Sequence, residues 1–336
     1  MVATVPERRV LIIKLGALGD VVVATPHIER ILAAYPGDAV YLLTAPAFAP
    51  LFAAHPRLEV KAVPRKGGVA MWQALTWVRR MHFAAVYDLQ GSDRSRMLTW
   101  LSGAPRRVGI GPALCYTHRS PHDDRSAHIF ERLNALLLGA GLPAAEPHPR
   151  LWTDARTRAE VDRWLLERRL AGRPLVLMHA GSSARWLSKR WEEARFAELA
   201  RRLEQQGLAV VWLGGDEERG LNQRLATVVG IDATGVFDIA ALAELATRAR
   251  FAVVNDSGPM HVLSTAAIPV YAFFGPTDWR RSHAVGQAGH VLRQPVECSP
   301  CHLPVCPPAQ AHRCLSGITV QQVFERLQRD GLLGRD

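Results

Sequence analysis

Short apolar runs alternate with amphipathic stretches along most of this 336-residue chain, and no other feature restricts its fold as strongly. The apolar run 9–15 is typical of a strand buried on both faces of a parallel sheet. Strands that alternate with helices predict a parallel sheet with crossover connections. Further strands are predicted at 39–44, 58–63, 84–89, 107–110, 175–179, 209–213, 252–255 and 270–274, and helices at 69–81, 127–138, 155–170 and 319–329.

Two of the helix starts carry local signals. Pro26 interrupts the helix that runs from Asp20 towards Tyr35, so we expect a kink there or a restart capped by Thr25. Thr157 followed by Glu160 predicts a capping box near the start of the helix 155–170.

The alternating pattern occurs in two halves, separated by the Pro-, Ala- and Gly-rich segment 139–150. We therefore predict an α/β protein with two Rossmann-like, doubly wound domains, 1–155 and 156–315, which suits a chain of this length. Ligands of such sheets bind beyond the carboxyl ends of the strands, so we expect the two domains to face each other across a cleft. The terminal segment 316–336 is expected to pack back on the N-terminal domain as a helix.

Composition narrows the functional classes. Hydrophobic residues make up 48% of the chain and charged residues 21%, as in globular proteins. No apolar run reaches the roughly 18 residues of a membrane span, and the stretch 1–9 lacks a signal-peptide layout, so we expect a cytoplasmic protein. The net charge of +10 favours an anionic partner, such as nucleic acid, a membrane surface or a phosphorylated substrate. Scattered basic residues without a stacking aromatic motif argue against nucleic acid.

The segment 255–261 follows a predicted strand and opens a helix. Pro259 suits the first helical position, and Ser257 or Gly258 suits the cap. The free backbone N–H groups of such a helix start bind anions, phosphates above all. An ordinary helix cap explains the same residues equally well.

Two more loops of the C-terminal half also follow predicted strands. Gly181 allows a ligand to approach the backbone, and the neighbouring Ser182 and Ser183 hydroxyls, with Lys189, can reach phosphate oxygens. Asp216 follows a Gly pair at a strand end, where a carboxylate commonly bonds a ribose hydroxyl. Polar loop and turn chemistry is the competing interpretation for both.

The N-terminal half has two such loops. Gly16, Gly19 and Asp20 do not form a G-x-G-x-x-G fingerprint, so a dinucleotide cofactor is not indicated. Asp20 is either a helix N-cap or a catalytic carboxylate on the floor of the cleft. The second loop, 88–94, ends another strand.

Together these motifs resemble glycosyltransferase family nine, the ADP-heptose:lipopolysaccharide heptosyltransferases. The resemblance extends from about residue 9 to residue 324, and the segment 255–261 followed by 274–278 is its most specific part. The motifs occur in the family's order, as RVLIIKLGALGD at 9–20, DLQG at 88–91, HAGSS at 179–183, NDSGPMH at 255–261 and FGPTD at 274–278.

The resemblance implies a GT-B fold and an inverting reaction without a catalytic metal or other cofactor, in which an acceptor hydroxyl displaces ADP from the anomeric carbon of ADP-heptose. It implies Asp20 as the general base. The nucleotide-sugar site would comprise Ser182, Ser183, Lys189, Asp216, Asp256, Ser257, Gly258 and His261. The anionic lipopolysaccharide core would be held by Gly19, Gln90, Arg94, Arg65 and Lys66, with the protein peripheral at the inner membrane.

Two alternatives to this function are a related transferase with another nucleotide sugar and a non-catalytic anion-binding protein. Stabilisation by ADP favours a transferase, whereas salt-sensitive binding of any polyanion favours the second alternative.

The chain also carries a cysteine cluster, which the family resemblance does not explain. Four thiols near His302 and His312 suggest a structural zinc site, although the second pair is too widely spaced for a zinc ribbon. Zinc binding, disulfide pairing and free thiols all remain open. The cluster comprises Cys298, Cys301, Cys306 and Cys314.

Overall fold

The structure is a computed structural model that describes residues 8–64, 67–111, 114–120, 124 and 126–334. The chain divides into two compact units, Met1–Trp152 and Thr153–Asp336. Each unit is built around one six-stranded parallel sheet, and helices connect most of the successive strands. The α/β class and the doubly wound arrangement predicted from the sequence are confirmed.

The sheet of the first unit has the strand order β3-β2-β1-β4-β5-β6. The strands β2 and β3 are therefore added on one side of β1, and the later strands are added on its other side, starting with β4. In register, Ile13 at the end of β1 lies beside Asp88 at the end of β4. The strands are β1 (Arg9–Ile13), β2 (Ala39–Thr44), β3 (Leu58–Ala62), β4 (Ala85–Asp88), β5 (Arg106–Gly109) and β6 (His118–Arg119). The helices are α1 (Leu18–Val23), α2 (Thr25–Ala34), α3 (Gly68–Arg80), α4 (Asp93–Leu101) and α5 (Ile129–Gly139).

The second unit repeats the arrangement with the order β12-β11-β10-β7-β8-β9, and β7 and β10 are its central strands. Its strands are β7 (Leu175–His179), β8 (Ala209–Trp212), β9 (Ile231–Asp232), β10 (Ala249–Asn255), β11 (Val270–Phe273) and β12 (Val291–Leu292). Its helices are α6 (Ala155–Glu167), α7 (Glu193–Gln205), α8 (Arg219–Val228), α9 (Ile239–Ala246), α10 (Gly258–Ser264), α11 (Trp279–Ser282), α12 (Arg313–Ser316) and α13 (Val320–Arg329).

The central strands are buried on both faces, which explains why they read as continuous apolar runs. In the second unit, separate apolar clusters cover the two sheet faces. In one of them Trp191 stacks on Phe273 with ring centroids 4.3 Å apart. This packing fixes the strand ends, from which the polar loops project.

Several local predictions need correction. Thr25 does not cap a restarted helix, because Ala24 forms the junction between α1 and α2 and the Thr25 hydroxyl donates to the Val22 carbonyl at 2.8 Å. The cap of α6 is Asp154, whose side chain accepts the Thr157 N–H at 2.7 Å, so the predicted capping box at Thr157 lies inside the helix. The strands β6, β9 and β12 were not predicted, since two residues at a sheet edge show no periodicity.

The C-terminal helix α13 differs from the prediction in its packing. Its apolar residues Val320, Val323 and Leu327 are buried in the cluster that also contains Phe196 and Leu203 of α7. A two-sided pattern of polar and apolar residues predicts a buried face but cannot specify the partner of that face. The structure places this face in the core of the second unit.

Candidate functional site

In the second unit, the polar loops singled out in the sequence all follow strand ends. The loops after β7, β8, β10 and β11 lie at one edge of the sheet because the strands are parallel. This carboxyl edge is where sheets of this type bind ligands.

The centre of this edge is an ion pair between Lys189 and Asp256. Their Nζ and Oδ2 atoms are 2.8 Å apart, and the side chains are 19% and 7% exposed. The Thr277 hydroxyl donates to the same Oδ2 at 2.6 Å, so the loop after β11 joins the group. The Lys189 ammonium also lies over the Trp186 ring, 5.1 Å from its centroid. A lysine held in this way presents a localised positive charge at the strand ends.

Asn255 organises these loops, although the sequence analysis assigned it no role. Its fully buried amide donates to the Ala180 and Gly181 carbonyls at 2.8 and 3.1 Å, and its Oδ1 accepts the Trp191 N–H at 3.0 Å. One side chain thereby ties the β10 end to the β7 loop and to the segment after Lys189. Its position as the last residue of a buried strand was the available signal.

His179 and Ser257 form a second polar contact at this edge. The Ser257 Oγ lies 3.3 Å from His179 Nδ1 and donates to the Asn255 carbonyl at 3.1 Å. Burial, and then the positive charge of Arg190, lower the pKa of His179 to about 4. The imidazole is therefore neutral near pH 7, and Ser257 is held by its neighbours.

The predicted helix is present, but α10 begins at Gly258, one residue before the predicted first position at Pro259, and Ser257 is its N-cap. The cap makes no side-chain hydrogen bond to the helix, because the Ser257 hydroxyl is directed elsewhere. His261 lies in the first turn and is buried. The Asp256–His261 segment thus lies beside Lys189 as one connected loop and helix start.

The two serines of the β7 loop have different environments. Ser182 is buried, and its hydroxyl donates to the Trp186 carbonyl at 2.8 Å and accepts from Arg190 Nε at 3.0 Å. Ser183 is exposed. Ser182 therefore shapes the loop from within, and Ser183 is the serine that presents its side chain to solvent.

Two of the three acidic residues of the β8 loop also differ in their environment. The Asp216 side chain is 89% exposed and pairs with Arg219 at 2.5 Å. Glu218 is buried and accepts the Gly215 N–H at 3.0 Å. A Cβ atom on Gly181 would overlap the Glu218 side chain, so the two loops approach each other as closely as glycine allows. The structure thus assigns loop packing to Glu218, a residue that the sequence did not single out.

In the first unit, Asp20 is the third residue of α1 and is half-buried. The N-cap of α1 is Ala17, and the cap makes no side-chain hydrogen bond, so the N-cap interpretation of Asp20 is wrong. Lys14 is buried nearby and donates to the Leu89 carbonyl at 3.1 Å. Burial lowers the pKa of Lys14, while the negative charges of Asp20 and Asp88 oppose that shift. Asp20 is therefore a carboxylate near a buried amine and not a capping residue.

Asp88 fixes the second loop of the first unit. Its Oδ1 accepts the Gln90 and Gly91 N–H groups at 3.0 and 2.9 Å, and its Oδ2 accepts the Tyr116 hydroxyl at 2.6 Å. Burial raises the pKa of this carboxyl, although these hydrogen bonds oppose the shift. Gln90 in turn accepts the Leu15 N–H at 2.8 Å, which joins the two predicted loops of this sheet.

Among the residues predicted to hold an anionic acceptor, Arg94 is notable. Its Nε and Nη2 atoms are buried and find no hydrogen-bond partner within the described ranges of the chain. Gly19 lies in α1 beside Asp20. Arg65 and Lys66 lie outside the described residues.

The four clustered cysteines line a cavity of about 120 Å³ together with Ser188 and His312. They are free thiols, and burial raises the pKa of Cys314 to about 11. Across the described part of the chain, no group of three or more His, Cys, Asp or Glu side chains is arranged to hold a metal ion.

The cysteine-bearing segment also contacts the turn that carries Lys189. The Ser188 N–H and hydroxyl donate to the Pro304 and Leu303 carbonyls at 3.1 and 2.6 Å, and His312 Nε2 lies 2.6 Å from the Ser188 carbonyl oxygen. The segment therefore supports the turn directly before Lys189.

The two doubly wound sheets give the chain a fold of the GT-B type, and the lysine–carboxylate pair lies at the carboxyl edge of the second sheet. The model of glycosyltransferase family 9 (heptosyltransferase) matches residues 70–312. The chain belongs to this family.

Similar proteins cover nearly the whole chain. Lipopolysaccharide heptosyltransferase 1 of Pseudomonas aeruginosa is 27% identical over 323 residues, 89% of this chain and 87% of that protein. A family 9 glycosyltransferase from Veillonella parvula has a TM-score of 0.83 at 23% identity, with 97% of each chain covered. Heptosyltransferase WaaC of E. coli, solved with ADP, has a TM-score of 0.71 at 22% identity, with 96% of this chain and 99% of that chain covered. No described helix has the length and apolar character needed to cross a membrane.

Proposed function

We propose that this enzyme transfers heptose from ADP-heptose to the inner core of lipopolysaccharide, with inversion and with Asp20 as general base. The observation that carries the proposal is the Lys189–Asp256 pair at the carboxyl edge of the second sheet, in a chain that belongs to family 9. The similar proteins support the proposed donor and acceptor. They include lipopolysaccharide heptosyltransferases, and the structure of one heptosyltransferase was solved with ADP.

The donor diphosphate would bind between Lys189 and the start of α10. Lys189 is only partly exposed and already oriented by Asp256, so its ammonium can bond a phosphate oxygen at little further entropic cost. The N–H groups at Gly258 add partial positive charge. Ser183 is exposed and can donate to the same group. Ser257 and His261 would border the sugar, and the buried Ser182 would hold the loop in shape.

The ribose would be recognised by Asp216. Its side chain is almost fully exposed and pairs with Arg219, and a surface pair of this kind contributes little to stability and is easily exchanged for a ligand. Glu218 is held inside the loop by the Gly215 N–H and is the less suitable acidic residue for a ligand.

Chemistry would occur in one displacement. As the acceptor oxygen bonds to the anomeric carbon, its proton passes to a carboxylate oxygen of Asp20 and the bond from that carbon to the ADP oxygen breaks. Lys189 and the start of α10 would stabilise the negative charge that develops on ADP. A single displacement inverts the anomeric configuration. Asp20 suits the base role because it is half-buried, is not used as a helix cap and lies near a buried amine.

The acceptor would bind at the carboxyl edge of the first sheet. Arg94 has buried guanidinium nitrogens without a hydrogen-bond partner among the described residues, and a phosphate or carboxylate of the acceptor would satisfy them. Gln90 and Gly19 would shape this edge. Arg65 and Lys66 are also proposed to hold the acceptor, on the basis of the sequence alone. The reaction would take place on the cytoplasmic side of the inner membrane, without nucleic acid.

Turnover of ADP-heptose with defined truncated core acceptors tests the proposal, together with thermal shifts in ADP, UDP and GDP. We expect stabilisation by ADP above the other two nucleotides and transfer to an inner-core acceptor. Equal stabilisation by all three nucleotides would favour a transferase with another donor. Stabilisation by none, with salt-sensitive polyanion binding, would contradict the transferase proposal.

A further inference from the structure

The outer surface of the first unit carries exposed tryptophans that the site described above does not use. Trp72 on α3 is 69% exposed and Trp100 on α4 is 63% exposed. Val69 on α3 and Met97 on α4 are also exposed. By contrast, Trp191 and Trp212 of the second unit are fully buried. Large apolar side chains gathered on one exposed layer indicate an interaction surface.

The two helices form one layer over the same sheet face. Ala74 and Val78 of α3 and Leu98 of α4 are buried together in one apolar cluster with Leu11 and Val86 of the strands. The two helices also contact each other. Since their inner faces are buried in this cluster, the residues on their opposite faces point outward together.

Helical spacing places charge beside these apolar residues. Four of the exposed residues of α3 are placed on one face of the helix by their helical spacing: Val69, Trp72, Arg79 and Arg80. On α4, Met97 and Trp100 share a face with Asp93, whose carboxylate is 3.5 Å from Arg96. The layer therefore combines tryptophans with arginines, and its exposed acid on α4 is already paired.

We infer that the outer face of α3 and α4, defined by Val69, Trp72, Arg79, Arg80, Met97 and Trp100, is a docking surface for an anionic lipid bilayer. Tryptophan is favoured at membrane interfaces because its ring is apolar and its N–H can bond at the headgroup level. Arginines beside it attract anionic headgroups, and the net charge of +10 acts in the same direction.

The surface also lies in a useful place relative to the acceptor loops. Both helices begin at the carboxyl edge of the first sheet, α3 after β3 and α4 directly after the loop that contains Gln90 and Gly91. An enzyme adsorbed through this face would hold that edge near the headgroups. This inference rests on the proposed function in one respect, namely that the acceptor is a lipid-anchored glycan.

Vesicle flotation measures membrane binding through this surface and does not depend on catalytic turnover. The protein is mixed with vesicles of phosphatidylcholine alone or of phosphatidylcholine with phosphatidylglycerol. We expect binding to the anionic vesicles, weakened at least about tenfold in Trp72→Ser/Trp100→Ser because two large apolar side chains are lost. Arg79→Ala/Arg80→Ala should weaken binding roughly thirtyfold at low salt. Leu166→Ser, which changes an exposed leucine on α6, is the matched control and should bind like the wild type.

Turnover separates this inference from the proposed function. With a delipidated, water-soluble acceptor, the tryptophan double variant should match the wild type, whereas with vesicle-embedded acceptor it should be slower. A wild type that transfers no heptose to either acceptor would refute the proposed function, and flotation would still report on the surface. Undiminished vesicle binding by the folded double variant would overturn the inference. So would a wild-type dimer that the double variant converts to a monomer, because a second copy would then cover this face.

Discussion

Lys189 and Asp256 lie 2.8 Å apart although they belong to loops that follow different strands, and both side chains are largely buried. The pair holds the lysine ammonium at the strand ends before any ligand binds. Because Asp256 also accepts the Thr277 hydroxyl at 2.6 Å, three loops of the second unit meet at one carboxylate. This preorganised charge is the structural basis for donor binding in our account.

Replacement of Lys189 by Met should weaken turnover of the nucleotide sugar. We expect a loss of about 1.5–3 kcal/mol in kcat/KM, the range for hydrogen bonds to charged groups. The variant should also melt lower, because Asp256 is left buried without its cation. Lys61→Met, at an exposed lysine of β3, is the control and should leave ADP affinity unchanged. Wild-type ADP affinity in a folded Lys189→Met protein would contradict the assignment.

Activity should persist after thorough chelation with EDTA. Asp256 is the carboxylate of the α10 loop, and its Oδ2 is already used by Lys189 and Thr277, which makes it a poor Mg²⁺ ligand. Initial rates before and after chelation, with circular dichroism to confirm the fold, provide the measurement. A rate that falls and returns on addition of Mg²⁺ would show that this part of the account is wrong.

Replacement of Gly181 by Ala should destabilise the second unit. The added methyl group would overlap the Glu218 side chain, which is buried and anchored to the Gly215 N–H. Overpacking of this kind costs about 1–3 kcal/mol, so we expect a lower melting temperature and weaker ADP binding. Gly289→Ala is the control, since a Cβ atom there meets nothing within 4 Å. Equal melting temperatures of the two variants would refute the packing argument.

The buried His179 should make the protein less stable in mild acid. Burial lowers its pKa to about 4, whereas an unfolded histidine titrates near 6.5. Between these values the unfolded chain binds the extra proton and the folded chain does not, so stability falls as the pH drops from about 6.5 to about 4. His179→Gln should lose less stability across this window than the wild type. Denaturant unfolding at several pH values measures the difference, and identical pH slopes would contradict the prediction.

The sequence predicted the parts of the fold that depend on long apolar runs. The central strands β1, β4, β7 and β10 were found because burial on both faces leaves a continuous apolar signal. The partner of the α13 apolar face was not found, because amphipathic spacing records that a face is buried and not what covers it.

For the site, the sequence identified the loops but not their internal bonds. Lys189 and Asp256 were predicted separately, and only the fold shows that they pair, because they lie far apart in the chain. Glu218 and Asp216 are two residues apart, and their contrasting burial depends on the close approach of Gly181 to the β8 loop. Residue type alone could not rank them. The structural role of Asn255 was hidden for the same reason, since its bonds reach residues more than sixty positions away.

The central claim is that Asp20 accepts the proton of the acceptor hydroxyl. Asp20→Asn keeps the shape of the side chain but removes a base whose contribution is roughly 10² to 10⁴ in rate. Since Asp20 is not the cap of α1, neither Asp20→Asn nor Asp20→Ala should cost more than about 1 kcal/mol of stability, through the lost charge near the helix start.

The most direct measurement is turnover of ADP-heptose by Asp20→Asn, with melting temperature and ADP affinity determined on the same preparation. The account predicts near-native melting, near-native ADP affinity and a rate lower by about two to four orders of magnitude. A folded Asp20→Asn protein that transfers heptose at the wild-type rate would contradict it.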